Sequence, residues 1–267
     1  MLDFLSNLPA GTMATLVCLF FVGATWLGAI FVRPFFRLLV RTQPELNSLL
    51  GNFVSMYGIF YGILMGLLAV AAYQNMVDVE RSIASEGQTL FSLYRSVSVY
   101  PEGVREPLQE SLREYTEFVI NEEWPIMRTG KIFTGSKPIV NRLQQQLTGF
   151  EPETSGQEIL HSNTVGLYFQ FLEHRAVRLY GATSGIPGIM WYVVLLGAFV
   201  SIFLTWMLNM TLVAHLFLGG ILSFYIGTMV SLIMVLDRPL RGEYGIGPEA
   251  FQLLLKFMNS MLGQPAG

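Results

Sequence analysis

Two charged side chains stand where the helical spacing requires apolar ones. Glu86 lies three residues after Ile83 and four before Leu90, and Arg175 lies four after Phe171 and four before Leu179. A carboxylate and a guanidinium on two buried faces invite an ion pair between helices, because a buried charge left alone is strongly destabilising. Two alternatives stay open: a pair of unrelated, partly exposed charges, or a site that contacts a small ion. Other chemistry has no comparable foothold. His161, His174 and His215 are scattered, and Glu158 with His161 shares a helix face as many surface pairs do, so no metal site is expected. There is no nucleotide-binding glycine loop, no GxSxG and no nucleophile–base set, so neither a catalytic residue nor a cofactor is expected. Gly242, Gly245 and Gly247 follow an apolar run rather than a strand, which argues against a phosphate cradle. Cys18 is the only cysteine, which excludes an intrachain disulfide, and its apolar neighbours suit a packing role.

The elements that must position these residues follow from composition. Apolar residues make up 52% of the chain and charged ones 13%, about half the ~25% of soluble domains. A net charge of -3 offers no basic surface for nucleic acid. Four stretches, near 13–32, 53–73, 187–208 and 211–236, contain no Asp, Glu, Lys or Arg, and each approaches the ~20 residues that cross a bilayer as helix. No Lys or Arg precedes the first, so it is expected to be a retained helix rather than a signal peptide. The expected fold is all-α: a polytopic membrane protein with four transmembrane helices in two hairpins and a helical cytoplasmic insert. Its segments are 1–74 (first hairpin), 75–186 (helical region), 187–236 (second hairpin) and 237–267 (tail with an amphipathic helix). Arg33, Arg37 and Arg41 lie between the first two spans, against Arg81, Arg175, Arg178, Arg238, Arg241 and Lys256 on the other face. Six against three puts both termini and the insert on the cytoplasmic side of an inner membrane.

No proline interrupts the chain between the second span and Pro101, so that helix is expected to continue into water. Leu108, Leu112, Tyr115 and Val119 mark a helix over about 104–124 that Pro125 ends. Ile139, Leu143 and Leu147 mark a short helix, and Leu160, Leu167, Phe171 and Leu179 a longer one over about 157–181. The last span is expected to reach water at the opposed charges Asp237 and Arg238, with Pro239 stopping the helix and Gly242 turning the chain. Pro248 and Glu249 suit the start of a tail helix. Its face of Phe251, Leu254, Leu255 and Met258 reads as a surface or subunit contact.

Small residues recur every fourth position at Gly58, Gly62 and Gly66, and again at Gly219, Ser223, Gly227 and Ser231. Such stripes let helices approach closely in lipid, either within one subunit or against its copies. The opposite face of the second span carries Phe60, Ile63 and Leu67, the candidates for an apolar constriction. Rotating the helix by one position would substitute Ile59, Gly66 and Val70.

Four segments together resemble the bestrophin-like domain family of bacterial membrane proteins. They are VERSIASEGQTLFSLYR (79–95), LREYTEFVINEEWPIM (112–127), EHRAVRLYGATSGIPGIMW (173–191) and LDRPLRGEYGIGPEAF (236–251). The family's usual Glu-Ala step reads Glu86-Gly87 here. The resemblance implies kinship to bestrophins, pentameric anion channels with a hydrophobic neck on the second span. The implied partners are membrane lipid, further copies of the chain and small inorganic anions such as chloride. A membrane-anchored scaffold or sensor whose cytoplasmic helices bind a partner protein is the alternative. A proton-driven transporter is disfavoured, because His215 is the one ionisable side chain of its kind within the spans.

Overall fold

The computed structural model describes residues 9–40, 44–181, 183 and 185–262. Among them there is no strand. The helices are α1 (Ala10–Phe31), α2 (Arg33–Val40), α3 (Pro44–Val97), α4 (Glu102–Phe118), a π-turn (Val119–Glu123), α5 (Trp124–Met127), α6 (Lys137–Thr148), α7 (Ser155–Gly181), α8 (Gly188–Met207), α9 (Leu212–Leu236) and α10 (Glu249–Leu262). Helices α1, α3, α8 and α9 are long and apolar enough to cross a membrane. The chain divides into two compact units: Met1–Met76 with Gly185–Asp237 and Gly242–Tyr244, and Val77–Ser184 with Arg238–Arg241 and Gly245–Gly267.

The first unit is assembled by close approach of backbones. In lipid, apolar side chains gain nothing by leaving the solvent, so small residues and shared hydroxyls decide which helices meet. The stripe on α9 lies against α1. The Ser223 and Thr25 hydroxyls are hydrogen-bonded, and a Cβ on Gly227 would come within 2.8 Å of the Cys18 Cα. On the α8 side, Trp206 covers Gly28 and donates its indole N–H to the Thr25 carbonyl at 3.0 Å. The stripe on α3 behaves differently. No atom lies within 4 Å of where a Cβ would sit on Gly58, Gly62 or Gly66, so these three glycines do not serve packing within the described chain. The connection between the first two spans carries α2, and the Arg33 guanidinium at its start donates to the Met210 carbonyl. Arg41 lies outside the described residues.

The second unit has a conventional apolar core, including Leu90, Leu93, Leu108, Leu112, Leu143 and Phe171. Helix α3 supplies its Val77–Val97 end without a break, as the absence of proline before Pro101 allows. Two expectations need correction. Pro125 does not end the helical path. The π-turn widens it first, the Trp124 N–H bonding the Val119 carbonyl five residues back, and the chain runs on to Met127. A proline has no N–H to contribute, and a wider turn before it relieves the crowding of its ring. The second correction is the tail. Phe251 and Met258 of α10 are fully buried and Leu254 nearly so, inside the core of the second unit. The apolar face of α10 is satisfied within the chain, not on its surface.

These contacts set a contrast in glycine tolerance. Gly227→Ala forces a methyl against the α1 backbone and is expected to lower the melting temperature of the detergent-solubilised protein by several degrees. Gly62→Ala meets no atom of another described element, and alanine gains about 1 kcal/mol of helix propensity. Its melting temperature should hold or rise, and equal losses for the two variants would contradict the packing described.

Candidate functional site

Two places carry the residues of interest: the exposed side of α3 in the first unit and a buried charge cluster in the second. On α3, successive residues turn by roughly 100°. Tyr61, Met65, Leu68 and Ala72 are buried and lie within about 40° of one direction. Gly58, Gly62 and Gly66 fall on one flank of that buried side. Phe60 and Leu67, both 65% exposed, fall on the other, and Ile59, Ile63 and Val70 point away from it. Phe60, Ile63 and Leu67 thus share an open apolar surface. His215 of α9 is fully buried, and neither of its ring nitrogens has a hydrogen-bond partner among the described residues.

In the second unit Glu86 is completely buried, and its partner is Arg178 rather than Arg175. The Arg178 Nε donates to Glu86 Oε2 at 2.7 Å, and its Nη2 donates to Glu123 Oε2 at 2.9 Å. The Tyr115 hydroxyl donates to Glu86 Oε1 at 2.6 Å. Arg178 Nη1 points at the Met127 sulfur, 3.0 Å away, and the guanidinium carbon lies 5.5 Å from the Phe251 ring and 5.9 Å from that of Trp124. Arg175 belongs to the same cluster one turn away. Its Nη2 donates to the Ser136 hydroxyl at 2.8 Å and lies 3.5 Å from Glu123 Oε1, which also accepts from Ser136. Two carboxylates and two guanidinia therefore cancel.

The sequence held signals for the residues that were missed. Arg178 stands three after Arg175, on the same face of α7. Glu123 stands four after Val119, continuing the spacing of Leu112, Tyr115 and Val119. Burial, and next the Glu86 charge, push the Tyr115 hydroxyl well above the ordinary 10.0. For Arg178 burial works against the charge, but Glu86, Tyr115 and Glu123 outweigh it and hold the guanidinium protonated well beyond its usual range.

Asp237, which follows the last residue of α9, is 8% exposed. Its Oδ1 accepts from the Ile186 N–H and its Oδ2 from the Trp191 indole at 3.1 Å. The carboxylate thus sits at the start of α8, where unpaired N–H groups and the helix dipole favour negative charge. Gly242 adopts φ 74, a left-handed conformation that glycine adopts without strain.

Charge-free spanning helices together with this helical second unit define a polytopic α-helical membrane protein. The family model of the Bestrophin-like domain matches residues 19–251, and the chain belongs to that family. Its fold is that of solved bacterial relatives. A bestrophin homolog from Klebsiella pneumoniae superposes with a TM-score of 0.66 at 12% identity, over 93% of this chain and 99% of the other. A variant of that homolog gives 0.65 at 14% identity, over 92% and 99%. No curated protein matches the chain by sequence.

Glu86→Gln and Arg178→Gln are each expected to cost ~3–5 kcal/mol, because each strands a buried charge. The double variant should lose less than the sum, and strict additivity would mean that the two do not meet. Alkali gives a second test. Both Tyr115 and Arg178 have folded values raised above their unfolded ones, so their contribution is fully present below about pH 10 and is lost as pH climbs further. Phenolate absorbance of one tyrosine should therefore appear only with unfolding. In Tyr115→Phe the late absorbance should fall by the equivalent of one tyrosine, whereas an unchanged amplitude would show that Tyr115 contributes nothing to it.

Proposed function

We propose that the protein is a homo-oligomeric, pentameric channel that passes small anions such as chloride passively across a bacterial inner membrane. Both termini and the 75–186 region face the cytoplasm in this reading. Family membership over residues 19–251 is the observation that carries it, since bestrophins are anion channels. The physical support is that the candidate spans contain no carboxylate, which suits a neutral constriction better than an acidic, cation-selecting ring. The side chains assigned to the constriction are Phe60, Ile63 and Leu67, which α3 leaves open for neighbouring copies to complete. Gly58, Gly62 and Gly66 present a surface without side chains on which another copy can close in.

The alternative is a membrane-anchored scaffold or sensor that binds a partner protein. It draws on Ile159, Phe169, Val177 and Tyr180, apolar side chains of α7 that are exposed in the second unit.

Detergent-solubilised protein is expected to run as one discrete oligomer in native mass spectrometry. A monomer across mild detergents removes the channel reading, because four helices enclose no adequate path. In proteoliposomes Ile63→Ala should raise chloride flux by widening and wetting the constriction. Unchanged flux for alanine at Phe60, Ile63 and Leu67 alike moves the lining to another face, while no flux from the unaltered protein favours the scaffold.

A further inference from the structure

Which side chains of α3 meet the path depends on how that helix is rotated about its own axis. Exposure does not choose among them, because Ile59 and Phe60 are 64% and 65% exposed. The choice is made on the buried side. Helix α8 has a notch at Gly197, and the Tyr61 ring fills it so closely that a Cβ there would come within 2.2 Å of the ring's Cε2. The Tyr61 hydroxyl then donates to the Val194 carbonyl at 2.9 Å. One turn earlier on α3, the Tyr57 hydroxyl donates to the Gly197 carbonyl at 3.0 Å. The two rings are stacked, 6.1 Å apart and 14° from parallel. Ser201 also donates to the Gly197 carbonyl, at 2.9 Å. The pairing runs antiparallel, 57 with 197 and 61 with 194. Rotating α3 by one residue, roughly 100°, would lift both hydroxyls from their carbonyls in surroundings with little water to replace them.

We propose that Gly197, Tyr57 and Tyr61 form a keyed seat that fixes the rotation of α3 and thereby selects the side chains presented to a permeating anion. They are positioning residues; none of them needs to touch the anion. The proposal rests on the channel reading for its second half only. A side chain on Gly197 leaves the ring no room, and loss of the two hydroxyls removes the bonds that hold its register.

The test uses the full chain, with Cys18→Ser, reconstituted in lipid. Single spin labels are placed at the open positions between Ile59 and Val70. The collision rates of each label with oxygen and with a water-soluble nickel chelate give the rotational phase of α3. The bromide-to-chloride flux ratio is measured on label-free protein. The unaltered seat should place the accessibility minimum at Tyr61, Met65 and Leu68. Gly197→Ala is expected to move that minimum and to change the flux ratio. Tyr57→Phe with Tyr61→Phe, which keeps the rings, should shift both in smaller measure and covers the case in which Gly197→Ala does not assemble. An unchanged phase in both variants overturns the seat. A shifted phase with an unchanged flux ratio overturns its link to permeation. Absence of flux from unaltered protein sinks the channel reading alone, and the phase still decides the seat.

Discussion

The second unit is organised by the need to satisfy one guanidinium. Arg178 has no exposure, and a cation taken out of water is tolerable only when opposite charge and hydrogen bonds arrive together. The partners come from separate elements: Glu86 from α3, Tyr115 from α4 and Glu123 from the π-turn, with Ser136 and Arg175 completing Glu123. Packing one of these helices in another register would leave a charge unmatched. The cluster therefore selects a single arrangement of helices that an apolar core alone would specify less sharply, a use of buried charge better attested than net stabilisation. The aromatic faces of Trp124 and Phe251 close over the guanidinium. This enclosure ties the tail helix α10 to the same constraint.

The first unit answers to different physics. With lipid outside, apolar burial distinguishes poorly between neighbours, and what remains is how near two backbones can come and which polar atoms they share. Gly227 against Cys18, Trp206 over Gly28 and the Thr25–Ser223 contact set α1 between α8 and α9. Asp237 secures the return of the chain by bonding the start of α8 from the end of α9. Among the described residues its charge is met by these two N–H donors and by no cation at salt-bridge distance.

What could be read from the sequence divides along the same line. Spanning helices announce themselves by length and lack of charge, and the uninterrupted α3 by the lack of proline before Pro101. The existence of a buried ion pair was legible because Glu86 and Arg175 broke an apolar spacing. Its membership was not, since Arg175 and Arg178 share a face of α7 and spacing does not say which reaches deeper. The π-turn was hidden for a related reason. A single wider turn leaves the apolar pattern nearly intact, and Pro125 gives the same sequence signal whether a helix ends before it or continues past it through a π-turn. The face of α10 misled because Phe251, Leu254 and Met258 show the same pattern whether their cover is a membrane, a copy or their own chain.

Helix α3 shows how far burial and rotation are separate pieces of information. Its amphipathic signal is weak because nearly every side chain facing away from α8 is also apolar. Periodicity therefore cannot say which of Ile59, Phe60 or Ile63 faces what. The polar atoms of the segment can, because a tyrosine hydroxyl surrounded by lipid and protein has few acceptors within reach, and those few fix an angle. The helix presents one apolar sector, one sector stripped of side chains at Gly58, Gly62 and Gly66, and one sector bonded to α8 through Tyr57 and Tyr61. Only the bonded sector discriminates between rotations. The identity of the open surface is accordingly determined by residues that lie on the opposite side of the helix from it.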